Sequence, residues 1–216
     1  MPIMNQVQKL KELQNLSYFD KSVLQQFMSL TANSLYANIK RWLRQGVLIK
    51  LKNGLYVTAS YYASREKKEE YAEFMANKLR EPSYLSLEYV LQNYGILSEA
   101  VYAFTSITLK TKRDYANRLG RFSYRNIKES LFTGFEIQDK GECQVKIATK
   151  AKALFDYLYF KFKSVASITK EELISLRLNL DGFFPKDLAE FDHYVKKSAV
   201  KKYLGLPKLI RIIRDY

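Results

Sequence analysis

Cysteine occurs once in this chain of 216 residues, and so does histidine. A lone Cys143 cannot close an intrachain disulfide, and one residue of each kind leaves no Cys/His ligand set for zinc within a single chain. A Ser/His or Cys/His nucleophilic site would have only His193 to use, and its setting, Asp192-His193-Tyr194 on a helical stretch, fits an exposed or packed structural histidine. Glycine is scarce at eight residues and proline at four, with no glycine-rich phosphate loop and no long linker. The acidic-x-Lys tripeptide that a restriction-type nuclease carries on a strand occurs only as Glu66-Lys67-Lys68, inside a charged helical pattern. Catalysis, a bound metal and a cofactor are therefore not expected. Apolar runs are short of the roughly 18 residues that span a bilayer, and Met1-Pro2-Ile3-Met4-Asn5-Gln6 lacks the basic and apolar regions of a signal peptide. The expectation is a cytoplasmic protein with no membrane partner.

Acidic residues are also in deficit. Lys and Arg number 36 against 22 Asp and Glu, a formal net charge of +14, which favours polyanionic partners. The excess is densest at the start, because residues 1–63 hold eight cations and two acids. A field of that kind attracts phosphate and speeds association.

Within that region the order of elements is informative. Asp20 is a good helix N-cap, and Val23, Leu24, Phe27 and Met28 then make one apolar face. Ser29 and Leu30 interrupt the pattern. A second helix starts near Thr31 with Leu35, Ile39, Trp42 and Leu43 as an inward stripe, and stops at Gly46. At about 100° per residue the stripe turns Asn33, Ser34, Ala37, Lys40, Arg41 and Arg44 outward, with Tyr36 and Asn38 on the flanks. Short and amide side chains followed by long cations suit a helix that reads base edges and grips phosphates. Val47 to Lys52, Asn53-Gly54 and Leu55 to Thr58 then read as a hairpin with a type I′ turn, placing Lys50, Lys52 and Asn53 for backbone contacts. Helix, turn, helix and two-stranded ribbon is the order of a winged helix-turn-helix, a DNA-binding module expected over residues 1–62.

Residues 63–216 are expected to form a larger α+β domain with a mostly antiparallel sheet and C-terminal helices. Ser64 to Arg80 is a charged helical pattern ended by Glu81-Pro82, and Ser86 can cap a helix reaching Tyr94. Four strands are expected at Tyr102 to Leu109, Gly120 to Ile127, Leu131 to Gln138 and Glu142 to Ala148, with a turn at Asp139-Lys140-Gly141. Thr149 opens a strong helix, and further helices follow from about Thr169. Lys110, Lys112, Arg113, Arg118, Arg121, Arg125 and Lys128 place seven cations in 19 residues against Asp114 alone. On a strand Arg121 and Arg125 would share one face and Phe122, Tyr124 and Asn126 the other. Such a basic face fits an extended DNA footprint, RNA, an acidic protein or a merely solvated surface. Lys196 to Tyr216 interleaves seven cations with apolar residues, the pattern of a terminal amphipathic helix docked on its domain or laid on a membrane.

Several stretches, in order, resemble the AbiEi antitoxins of type IV toxin–antitoxin and abortive-infection systems. They are Asn53-Gly54-Leu55-Tyr56, Tyr84-Leu85-Ser86-Leu87-Glu88 with Tyr94-Gly95, Thr105-Ser106, Gly120 to Ile127, Phe132 to Glu136, and Ala148 to Tyr159. Lys150-Ala151 stands where the family often has Pro-Glu, and Asn126 where it often has His. The resemblance covers about residues 20 to 160. It implies an N-terminal winged helix that binds inverted repeats in its operator and represses its own operon, and a second domain that counters a co-encoded nucleotidyltransferase toxin. A different class of function also fits the residues: a protein-binding antitoxin or adaptor gripping an acidic partner by direct contact. A lone winged-helix regulator is a third.

Overall fold

Asp20 starts the first long helix of the computed structural model, which describes residues 9–141 and 143–214. Its carboxylate accepts from the Val23 N–H at 2.9 Å, satisfying a backbone donor that the helix cannot pair. The helix, α1 (Lys21–Met28), ends at Ser29 in the left-handed region. Thr31 caps α2 (Ala32–Arg44) through the Ser34 N–H. Before α1 lies the short strand β1 (Phe19–Asp20), and after α2 come β2 (Leu48–Lys52), β3 (Leu55–Thr58) and the helix α3 (Ala59–Ser64). The strands form an antiparallel sheet of order β1-β3-β2.

The apolar stripes of α1 and α2 meet as their spacing requires. Leu24 and Met28 pack with Leu35, Ile39 and Trp42, and with Leu13, Phe19, Leu48 and Tyr56, in one buried cluster that Val23, Phe27 and Leu43 flank. The turn departs from the expected type I′. Only Gly54 of the Asn53-Gly54 pair has a positive φ, at +78°, and type I′ needs two. The register shifts between Lys50 and Lys52 to take up the difference.

The chain divides into two compact units. The first holds the described residues through Ala72 together with Tyr115–Gly120, and the second holds Glu73–Asp114 and the described residues from Arg121 on. The division falls inside the helix α4 (Lys68–Leu79) rather than at residue 62. A single helix from Ser64 is not formed either, because α3 and α4 are separated by 65–67.

Six strands rather than four build the larger sheet: β4 (Ser83–Leu85), β5 (Ala103–Thr108), β6 (Arg113–Asn117), β7 (Gly120–Asn126), β8 (Phe135–Lys140) and β9 (Cys143–Ala148). Their order is β6-β7-β5-β4-β9-β8. The sheet is mixed, not mostly antiparallel: β5 runs parallel to β7 and β4 parallel to β9, while β4 with β5 and β8 with β9 are antiparallel. Residues 131–134 are not strand. Leu131 closes a single 3-10 turn and is buried there. Glu142, expected to start β9, lies outside the described residues.

Helices cover the sheet. Ser86, expected to cap α5 (Leu87–Asn93), makes no side-chain cap bond because its hydroxyl donates to Asp156, whereas Thr149 caps α6 (Lys150–Lys161) through the Lys152 N–H. α6 packs against α5 and against α8 (Pro185–Ser198), with α7 (Lys170–Ser175) between in sequence. The last helix, α9 (Leu206–Arg214), buries Leu206, Pro207 and Ile210. Lys202 closes the end of α6, its ammonium donating to the carbonyls of Phe162, Lys163 and Val165 at 2.8, 2.9 and 2.8 Å. Among the described residues no helix is long and apolar enough to cross a membrane.

Candidate nucleic-acid interface

With Leu35, Ile39 and Trp42 buried, the opposite face of α2 is set by geometry alone. Asn33, Ser34, Tyr36, Ala37, Lys40 and Arg44 are exposed, Tyr36 at 67%. Asn38 and Arg41 are half-buried and committed to the helix itself. The Asn38 amide donates to the Ser34 carbonyl at 2.8 Å, and its oxygen accepts from the Arg41 guanidinium at 2.5 Å. Asn38 is thus a brace that orients Arg41 along the helix, not an open amide. The Ser34 hydroxyl is held in turn by Thr31, whose Oγ1 donates to it at 3.0 Å.

What is left outward is graded along the helix. Asn33, Tyr36 and Ala37 lie in the N-terminal half, and Lys40 and Arg44 extend from the C-terminal half. Arg44 is steered by its own helix, Nε donating to the Lys40 carbonyl at 3.4 Å. On the hairpin Lys50 and Asn53 are exposed and Lys52 is half-buried. The hairpin is tied down at two points: the Lys21 N–H donates to the Gly54 carbonyl at 3.0 Å, and the Asn117 amide donates to the Leu51 carbonyl at 2.8 Å. Neither contact was legible in sequence, since each joins residues more than 30 apart.

The seven-cation segment is divided between the two units. Arg118 belongs to the first unit, where its guanidinium lies 5.9 Å from the centroid of the Tyr62 ring. Lys128 is structural, its ammonium donating to the Ser198 carbonyl at 2.8 Å. Arg125 is half-buried and lies over Phe160, 5.6 Å from the ring centroid. Lys110, Lys112, Arg113 and Arg121 are exposed in the second unit. The alternation on β7 holds: Phe122 and Tyr124 are buried while Arg121 faces away from them. Arg80 fixes the loop that carries Lys110 and Lys112, its Nη2 donating to the Thr111 carbonyl at 2.7 Å.

Sequence reading missed the most deeply buried polar group. Lys152 and Asp156 pair on α6 with neither side chain exposed, and the Tyr84 and Ser86 hydroxyls donate to the same carboxylate at 3.0 and 2.8 Å. A signal was present: Lys152 and Asp156 are four residues apart, one above the other on a helix whose intervening residues Ala153, Leu154 and Phe155 are apolar. His193 is exposed on α8 beside Tyr194. No protein-family model and no curated protein matches the chain.

Proposed function

We propose that the chain is a DNA-binding transcriptional repressor whose first unit acts as a winged helix-turn-helix, with α2 as the groove-reading helix and the β2–β3 hairpin as the wing. One observation carries the reading: the exposed face of α2 grades from Asn33, Tyr36 and Ala37 to Lys40 and Arg44, short or planar groups for base edges and long cations for phosphates. The order β1, α1, α2, β2, β3 with a three-stranded sheet supports it, as does the dense positive charge of this region. Asn33 and Tyr36 approach the bases, and Lys40, Arg44, Lys50 and Lys52 hold the backbone, while Arg41 stays braced on Asn38. The ligand is double-stranded operator DNA, with inverted repeats implied by the resemblance to AbiEi antitoxins.

By the same resemblance the second unit serves as the antitoxin part, countering a nucleotidyltransferase toxin encoded beside it. Exposed Lys110, Lys112 and Arg121 supply a surface for an acidic partner. Two experiments test the two halves separately. A gel shift with the chain's own upstream region tests repression, and co-expression with the neighbouring nucleotidyltransferase tests neutralisation. Retardation of unrelated DNA with equal affinity contradicts sequence reading, and growth arrest undiminished by this chain contradicts the antitoxin role.

A further inference from the structure

The second unit contains a cleft of about 310 Å³ whose lining combines opposite charges with apolar walls. Its volume is near the lower end of small-molecule sites, about 300–1,000 Å³, and is too small for a docked helix. Leu87, Leu97 and Val101 give the apolar wall, and Tyr157 and Phe160 stand on α6. These rings are three residues apart, hence neighbours on one helical face.

Charge in the cleft is polar along that face. Glu88 and Glu99 act on the Tyr157 hydroxyl, which burial and then these two carboxylates push above its ordinary pKa. At the other ring, the Arg125 guanidinium lies 5.6 Å from the Phe160 centroid, and Lys161 follows next in the chain and also lines the cleft. The carboxylates thus act at the Tyr157 ring and a guanidinium lies at the Phe160 ring of the same helical face. Glu88 Oε2 is buried and accepts no hydrogen bond from the described residues. A buried carboxylate oxygen without a donor is costly.

We propose that this cleft binds a free α-amino acid with a bulky apolar side chain. The ammonium lies against the Glu88 and Glu99 carboxylates, the carboxylate lies on Arg125 and Lys161, and the side chain covers Leu87, Leu97 and Val101. Net charge selects this class. Two carboxylates and two cations sum to zero, which matches a zwitterion, whereas a phosphate ester would bring its charge against the carboxylates and a diamine against the cations. The site is independent of how the first unit acts.

Calorimetric titration of the full chain with L-leucine and L-phenylalanine tests the proposal, alongside N-acetyl-L-phenylalanine and L-phenylalaninamide, which each remove one charge. The free amino acids are expected to bind, and both derivatives to bind at least roughly tenfold more weakly, as the loss of a charge-assisted hydrogen bond requires. Glu88→Gln is expected to weaken L-phenylalanine by a similar factor. Because the derivatives need no variant, the proposal stays testable if a substitution disturbs folding. Absence of binding by either amino acid, equal binding of the derivatives, undiminished binding by Glu88→Gln, or tighter binding of putrescine or inorganic phosphate would each overturn it.

Discussion

The Lys152 ammonium donates to the Asp156 carboxylate one turn along α6, and neither side chain reaches solvent. Three rings surround the cation, Phe155, Tyr194 and Tyr84, with centroids at 5.0, 5.4 and 5.7 Å. Burial opposes both charges, pushing Lys152 below and Asp156 above their ordinary pKa values, while the pairing pulls each back. Replacing Lys152 with Met leaves a buried carboxylate with two hydroxyls and no cation, at a cost of about 3–5 kcal/mol. Urea unfolding at neutral pH measures it. A carboxyl whose folded pKa is raised favours the folded state below its unfolded value and loses that contribution as pH rises through the folded value. The cost of Lys152→Met relative to the parent should therefore shrink in acid, where Asp156 is protonated. A cost that does not change with pH contradicts an ionised pair.

Gly134 supports the same neighbourhood. Its φ is +77°, and a Cβ there would lie 2.6 Å from Tyr194 Cζ and 2.9 Å from Lys152 Cγ. Gly134→Ala is expected to cost about 1–3 kcal/mol through overpacking, beyond the roughly 1–2 kcal/mol of left-handed strain. Gly141→Ala, at φ +71° with open space around it, carries the strain alone. Melting curves of the two variants separate the contributions, and equal losses would refute the close approach.

Asp20 joins local sequence to the first unit's stability. The Ser22 hydroxyl and then the Val23 N–H hold its carboxyl below the ordinary value. Asp20→Ala should cost about 0.5–2 kcal/mol. A lowered pKa contributes stability above the unfolded value and loses it as pH falls through the folded value. The difference between variant and parent should thus vanish well below pH of about 3.9, which denaturation at both ends of that range checks.

Local signals were the legible ones. The cap at Asp20, the helix starts at Thr31 and Thr149 and the stripe of Leu35, Ile39 and Trp42 depend on residues within a turn or two of one another, and each occurs as expected, whereas the Ser86 hydroxyl goes to Asp156 instead of capping its helix. The second unit's sheet was harder. β4 is three residues directly after Pro82, and β6, Arg113-Asp114-Tyr115-Ala116-Asn117, has no apolar alternation. β4 depends on partners far along the chain, as do the parallel pairings of β5 with β7 and β4 with β9, whereas β6 is an edge strand beside β7, the next strand in sequence. On α2 the outward face was legible, but the roles of two of its residues were not. Only the positions of the Ser34 carbonyl and the Arg41 guanidinium reveal that Asn38 is already occupied. The basic run from Lys110 to Lys128 is split between the units, and proximity in sequence carries no information on which unit each cation joins.

Arg121 separates the two proposed activities. It is exposed and lies on the face of β7 away from buried Phe122 and Tyr124. Arg121→Glu should abolish rescue from a co-expressed nucleotidyltransferase and leave operator affinity within about twofold, a shift of roughly 0.4 kcal/mol. Full rescue by the variant removes this face from the neutralising surface.

Salt dependence of operator binding is the most direct test of the DNA-reading role of α2. Lys40 and Arg44 are exposed, so their replacement by Ala should leave the fold intact. The affinity of the parent and of Lys40→Ala/Arg44→Ala for the upstream operator is to be measured across a series of salt concentrations. The account predicts weaker binding by the variant and a log–log slope smaller in magnitude by about two, close to one per lost phosphate contact. The same affinity and the same slope for both proteins would contradict it.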